Sequence, residues 1–352
     1  MKHFLFLTLA LSLVAVSCQK EEISISENAA DRFFLRSDNA SMPVRVYGNT
    51  ASKTFLIIVH GGPGGDDVVY RNDYVIQNLE PKFAVVYWDQ RNSGASQGGG
   101  NGDFNAVADF VSDFEKLIVL LKYRYGNDIS LFANGHSWGG FLTPAFLTKG
   151  NNQFSLKGWI QTDGAHNIPL LNEAAIKKLS EKAAVEIQAN RHVDDWKEIK
   201  AYCDGLSLPL SLEETLKLNR YAGQAEGLTE EISDSKYEAK DIVGQYQREH
   251  TPILPLLMSS LNPVIYSVIE EIFGEGGAEL SSNLNTIVIP TLILFGAHDY
   301  ICPPALADDV ELRISSVYKR KVLFEHSGHS PMNGADEKAY WDEVIAFVQR
   351  FK

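Results

Sequence analysis

The sequence predicts an α/β protein: a doubly wound, mostly parallel sheet that carries an inserted helical subdomain. Short apolar strands rich in β-branched residues recur along the chain, and stretches of helical periodicity separate them. One long segment then breaks the alternation with helical patterning alone. Near-continuous apolar strands suit a parallel sheet covered on both faces, and their alternation with helices defines the architecture. The 352 residues are 45% hydrophobic and 22% charged, which excludes a disordered, collagen-like or polytopic membrane chain. A net charge of −13 without a basic run argues against a nucleic-acid or anionic-membrane footprint. Three cysteines make neither a disulfide framework nor a zinc site.

The N-terminus reads as an address. Met1-Lys2-His3 is followed by an apolar run from Phe4 to Val16, shorter than the ~20 residues of a membrane-spanning helix and suited to a signal-peptide core. Ala15-Val16-Ser17-Cys18 resembles a bacterial lipoprotein box, although Ala15 stands where leucine is usual. The resemblance implies removal of residues 1–17, lipidation of Cys18 and a polar tether over 18–30. The mature protein would then sit in a bacterial cell envelope, on a periplasmic or surface face, touching membrane only through its lipid anchor. An ordinary signal peptide with an incidental cysteine is the alternative.

After the tether, Arg32–Tyr47 is expected to form an antiparallel pair. Core strands follow at Thr54–His60, Phe83–Asp89, Asp128–Asn134, Leu156–Thr162, Thr291–Phe295 and Lys321–Glu325. Val107, Phe110, Val111, Phe114, Leu117, Ile118 and Leu121 recur at spacings of three and four, one buried helix stripe. The strand pattern stops at Gly164. Leu170–Ala189, Asp194–Cys203, Leu212–Tyr221 and Pro263–Phe273 read as helices. Residues 31–164 and 286–352 thus form the predicted core, and 165–285 a helical cap.

The chemistry is expected where strands end. Gly135-His136-Ser137-Trp138-Gly139 lies between a strand and a helix, the G-x-S-x-G pattern of a nucleophile elbow. Its glycines let the chain pass through a tight turn, and the helix N-terminus favours developing negative charge. A nucleophilic serine needs a base, and the base an orienting acid. Asp299 follows the Thr291–Phe295 strand and His329 the Lys321–Glu325 strand, so the order is Ser, Asp, His, all in carboxyl-end loops. Asp163, at the end of Leu156–Thr162, is the rival acid. His60, His136 and His298 are read as structural. In His60-Gly61-Gly62-Pro63-Gly64, bare amides suit an oxyanion hole formed by Gly62, with Gly61 the lesser choice, and the Trp138 amide. No Gly-Lys-Ser/Thr follows, which removes a phosphate-binding loop.

Together, His60–Gly64, Asp89-Gln90-Arg91 with Asn92–Ser96, Gly135–Gly140, Gly296–Pro303 and Ser327–Ser330 resemble the proline iminopeptidase (prolyl aminopeptidase) family of α/β-hydrolases. The resemblance implies the α/β-hydrolase fold, the triad Ser137, Asp299 and His329, and release of an N-terminal residue, preferably proline. It also implies cap carboxylates that hold the substrate ammonium. Glu173, Glu181, Glu198, Asp204, Glu226, Glu230 and Glu231 are eligible. Asn92 and Ala95 stand where glycine and arginine are usual, and His136 where glycine is common. Asp89 and Arg91 are expected to shape the site floor. Cys302 lies near the site, and its pairing with Cys203 stays open.

The resulting expectation is a serine hydrolase acting on small peptides or small acyl compounds through an acyl-enzyme, with no metal or organic cofactor and no nucleic-acid partner. A carboxylesterase or lactonase of the same fold is one alternative; a non-catalytic surface-binding lipoprotein is the other.

Overall fold

The structure is a computed structural model that describes residues 25–98, 106–232, 239–249, 251 and 265–352. Cys18 and the apolar leader lie outside these residues. No helix among the described residues is long and apolar enough to cross a membrane.

The expected antiparallel pair is present as β1 (Ala29–Ser37) and β2 (Ala40–Gly48). Then come β3 (Thr54–Val59), β4 (Ala84–Trp88), the short β5 (Gln97–Gly98), β6 (Ser130–His136), β7 (Gly158–Thr162), β8 (Thr291–Gly296) and β9 (Lys319–Phe324). The sheet runs β1-β2-β4-β3-β6-β7-β8-β9, with β5 on β2. β2 meets β4 antiparallel, and every later pairing through to β9 is parallel. All carboxyl ends from β3 onward therefore face one rim, and the order reverses at β3, a switch point where ligands bind. Strands β3, β4, β7 and β8 are buried at every position, as expected between two helical layers.

One layer contains α2 (Val107–Tyr125), α3 (Gly139–Leu147) and α9 (Ala305–Arg313); the other contains α1 (Asp73–Asn78) and α10 (Glu337–Phe351). The stripe from Phe110 to Leu121 is buried. Several boundaries differ from the expected ones, those of β6 and β9 among them. β6 starts at Ser130 because Gly126, at φ 107°, opens a turn through Asn127 and Asp128. It also extends to His136, so Ser137 follows the strand directly. β9 begins at Lys319, where Thr291 of β8 already has its partner.

Between β7 and β8 lie α4 (Ile168–Gln188), α5 (Val193–Asp204), α6 (Leu212–Leu228), α7 (Ala239–Arg248) and α8 (Ile265–Phe273). Helices α4 to α6 bury their own cluster around Leu179, Trp196 and Leu218. The segment after α6 is tied back to the core by polar contacts. The Tyr246 hydroxyl donates to Asp66, and Glu249 takes Arg71 at 2.5 Å and the Tyr47 hydroxyl at 2.8 Å.

Candidate active site

Ser137 stands between β6 and α3 at φ +57°, a left-handed conformation that costs a non-glycine residue ~1–3 kcal/mol. Its surroundings hold it there. Its N–H donates to the Thr162 carbonyl at 3.1 Å, and its own carbonyl accepts from Gly140 at 2.9 Å and Ala165 at 3.1 Å. The two glycines of the pattern have steric reasons. A Cβ on Gly139 would strike the Val59 carbonyl, and one on Gly135 the Gly139 carbonyl and the Thr143 hydroxyl. Ser137 is partly exposed, whereas its neighbours on both sides are buried.

Asp299 and His329, far apart in sequence, meet at the same rim. His329 Nδ1 donates to Asp299 Oδ2 at 2.8 Å, which leaves Nε2 as the ring's basic nitrogen. Asp299 is fully buried, and its other oxygen accepts the N–H groups of Ile301 at 2.8 Å and Cys302 at 2.7 Å. Burial works against a protonated His329, yet the Asp299 carboxylate, aided by Glu226, moves its pKa above the ordinary value. Asp163, the rival acid, is also at this rim, fully buried, but Asp299 is the one that holds the imidazole.

His136 explains why glycine is absent before Ser137. Its ring is 4.9 Å from the His329 ring, and its Nε2 donates to the His329 carbonyl at 2.7 Å. Its Nδ1 then accepts the Tyr70 hydroxyl at 2.7 Å, and that hydroxyl accepts the Gly61 N–H at 2.9 Å. One chain of hydrogen bonds thus links the glycine loop, the residue before Ser137 and the backbone of His329. Burial, then the charge of His329, hold the His136 pKa down to about 3, so it stays neutral. The Gly61 amide is committed to Tyr70, which leaves Gly62 as the loop's forward donor. Gly62 is exposed at φ +136°. The Trp138 amide precedes the first turn of α3, where N–H groups have no intrahelical partner. The Trp138 indole donates to Gln90 Oε1 at 2.8 Å, which fixes the turn from the far side.

The other predicted structural residues fall in place. His60 is buried, accepting the Gln90 N–H on Nε2 at 3.1 Å and donating Nδ1–H to the Gly61 carbonyl at 2.7 Å. His298 is bonded to the Glu325 carbonyl. Asp89 receives the amides of Asp67 and Ala95. Arg91 is buried against Asp113 through two bonds of 2.6 and 2.8 Å. Asn92 has φ +57°, so a residue tolerant of that region replaces the usual glycine.

Of the seven eligible cap acids, Glu226 is the one that reaches His329. It lies on α6, its Oε1 accepting the Tyr300 N–H at 3.2 Å and its Oε2 the His329 N–H at 3.1 Å. Burial and then the Asp299 charge push its pKa up to about 7. It lines a cavity of about 300 Å³ with Ile232, His329, Ser330 and Asn333. The other six are exposed. Glu198 holds Tyr221, Asp204 pairs with Lys200, Glu230 with Arg191 and Glu231 with Lys182. Sequence alone did not separate Glu226 from them, because the phase and tilt of α6 decide which carboxylate points inward.

Cys203 and Cys302 are both free and buried. Burial and then the Asp299 charge hold the Cys302 thiol well above its usual pKa, so it is no thiolate nucleophile. Potential metal ligands gather as His136, Asp163 and His329, and as Asp299, Cys302 and His329, each set within 4.8 Å. Most of these donors are already engaged: both nitrogens of His136 and both oxygens of Asp299 make hydrogen bonds.

Residues 50–206 match the family described as serine aminopeptidase, S33. The chain is 22% identical over 307 residues to the "Probable aminopeptidase YbaC" of Bacillus subtilis, covering 83% of this chain and 88% of that protein. It is 27% identical over 265 residues to a proline iminopeptidase of Xylella fastidiosa, covering 70% and 75% of the two chains. The crystal structure of a proline iminopeptidase from Mycobacterium smegmatis superposes with a TM-score of 0.63 at 18% identity, covering 91% of this chain and 98% of that one. Strand order, elbow and these matches agree: the chain has the α/β-hydrolase fold.

Proposed function

We propose that this protein is a serine aminopeptidase that releases N-terminal residues, proline preferred, from short peptides through an acyl-enzyme. The observation that carries the reading is the Glu226 carboxylate, brought by the cap onto the backbone of the histidine that Asp299 orients. In this reading the cationic N-terminus sits beside that group and the first peptide bond at Ser137.

In the mechanism, His329 Nε2 takes the Ser137 proton while Asp299 stabilises the imidazolium. Ser137 Oγ attacks the scissile carbonyl, and the Gly62 and Trp138 amides hold the oxyanion. The imidazolium gives its proton to the departing amine, and water, deprotonated by the same histidine, releases the N-terminal residue. Glu226 supplies recognition: an ammonium group keeps it ionised, whereas a blocked terminus leaves a buried carboxylate unpaired. The similarity to named proline iminopeptidases supports the preference for proline.

The test compares proline-arylamide with its N-acetylated form on wild type and Ser137→Ala. The proposal requires fast cleavage of the free-amine substrate only, and loss of cleavage in the variant. Equal rates on both substrates would remove the aminopeptidase reading. A second reading is an acyl-ester hydrolase, since Glu226, with its pKa pushed up to about 7, is partly neutral near that pH and in that form holds no ammonium. Ester turnover without arylamide turnover would establish it.

We further propose export and lipid anchoring through Cys18. The mature protein should enter the detergent phase on phase separation, and Cys18→Ser should stay aqueous; aqueous partitioning of the mature wild type would remove this.

A further inference from the structure

The loop that carries His329 is held from several sides. Asp336, just before α10, accepts the His326 N–H at 2.9 Å and the Ser327 hydroxyl at 2.8 Å on the same oxygen. From the turn after β8, the His298 N–H donates to the Ser327 carbonyl at 3.0 Å. From the cap, Glu226 takes the His329 N–H at 3.1 Å. Two glycines set the spacing of this stack. A Cβ on Gly296, the last residue of β8, would stand 2.6 Å from the Ser327 carbonyl oxygen and 2.8 Å from the Gly328 carbonyl carbon, so the strand end packs directly against the loop backbone. A Cβ on Gly328 would stand 2.6 Å from Glu226 Cδ, 3.1 Å from its Oε1 and closer still to its Oε2. The three nearest atoms all belong to that one carboxyl group.

A side chain at 328 would therefore force something to move. The loop has no room to recede, because Gly296 backs it and Asp336 and His298 tie Ser327. The carboxyl group can move, since it is the far end of a flexible side chain on α6. Gly328 is buried and its φ is not positive, so its backbone does not itself demand glycine. What the missing side chain provides is space for Glu226. We propose that Gly328 is a specificity-determining residue: its bare Cα leaves the seat in which the Glu226 carboxylate settles on the His329 N–H, and so selects substrates that carry a free α-ammonium group.

The inference rests on the aminopeptidase reading and adds that amine selectivity is set from the histidine loop as well as from the cap. The chemistry stands apart from the seat. His329 reaches Asp299 through its ring, at 2.8 Å, and not through the backbone that Glu226 touches. Ser137 and the oxyanion amides of Gly62 and Trp138 belong to the elbow and to the loop after β3. A methyl group at 328 thus turns the carboxylate away and leaves the acyl-transfer groups in place.

Gly328→Ala should lose roughly 30-fold or more in kcat/KM on proline-arylamide. On a small acyl ester, and in the rate at which a fluorophosphonate labels Ser137, it should stay within about threefold of wild type. In a Glu226→Gln background the same alanine should cost the arylamide reaction no more than about a further threefold, because the interaction it disturbs is already gone. A crystal structure of Gly328→Ala should show Glu226 off the His329 N–H with the His329–Asp299 bond intact. Where the alanine lowers the melting temperature, adding Glu226→Ala should bring it back to that of Glu226→Ala alone, since the obstacle is removed. Equal losses on arylamide and ester, losses that multiply in the double variant, a melting temperature that Glu226→Ala does not restore, or a Glu226 carboxyl group still on the His329 N–H would each overturn the proposal. An arylamide rate unchanged by Glu226→Gln alone would instead remove the amine-recognition reading, and the specificity with it; the crystal structure, which needs no turnover, decides the seat separately.

Discussion

Glu226→Gln separates recognition from chemistry. The amide keeps the length of the side chain and one oxygen, which can accept the His329 or the Tyr300 N–H but not both, and it removes the charge. Losing one partner of a desolvated ion pair costs ~2–5 kcal/mol, and 1.4 kcal/mol is tenfold. The variant should therefore lose roughly 30-fold or more in kcat/KM on proline-arylamide, and little on a small acyl ester. The pH profiles carry a second signature. His329 must be neutral, so both substrates share an acid limb set by its raised pKa. The arylamide alone should show a further loss as Glu226 protonates below about 7, and Glu226→Gln should abolish that extra loss. Stability should move the other way. The folded carboxyl titrates near 7 against an ordinary 4.5. Between those values the folded state holds the extra proton, so stability falls as pH rises through this window. The variant should thus equal wild type at acid pH and exceed it by up to about 3 kcal/mol above pH 7. Parallel substrate profiles at pH 5–9, with thermal melts, measure all of this. An equal loss on ester and arylamide, or an unchanged arylamide profile, would refute the role given to Glu226.

Gly139→Ala should destabilise by ~3 kcal/mol or more, or prevent soluble expression, because its methyl group meets the Val59 carbonyl; thermal denaturation reads this. Arg91→Met should cost ~3–5 kcal/mol by stranding buried Asp113, and Arg91→Met combined with Asp113→Leu should recover most of it. Asn92→Gly should be near neutral in a denaturant melt, whereas Asn92→Val should destabilise by ~1–3 kcal/mol, since Asn92 sits at φ +57°.

The parts legible in the sequence are those fixed by short stretches of chain. The elbow needed only a strand, a serine flanked by glycines and a helix, and the order of Asp299 and His329 followed from which strands they end. The buried stripe of α2 was visible as spacing. What sequence hid depends on packing between distant elements. Glu226 looked like any helix-face charge until α6 was laid over the triad. The occupation of the Gly61 amide by Tyr70 joins two loops through a third residue, His136, and no local pattern encodes it. Helix α10 had a signal in Tyr340, Trp341, Val344, Ile345 and Val348, which are buried against β7 and β8, and reading on beyond His329 would have found it.

The most direct test is covalent labelling with a fluorophosphonate followed by peptide mapping. An activated elbow serine predicts one modified residue, Ser137, with labelling lost in Ser137→Ala and strongly slowed in His329→Gln. No labelling of folded wild type, or labelling that persists at full rate without the imidazole of residue 329, would contradict the account.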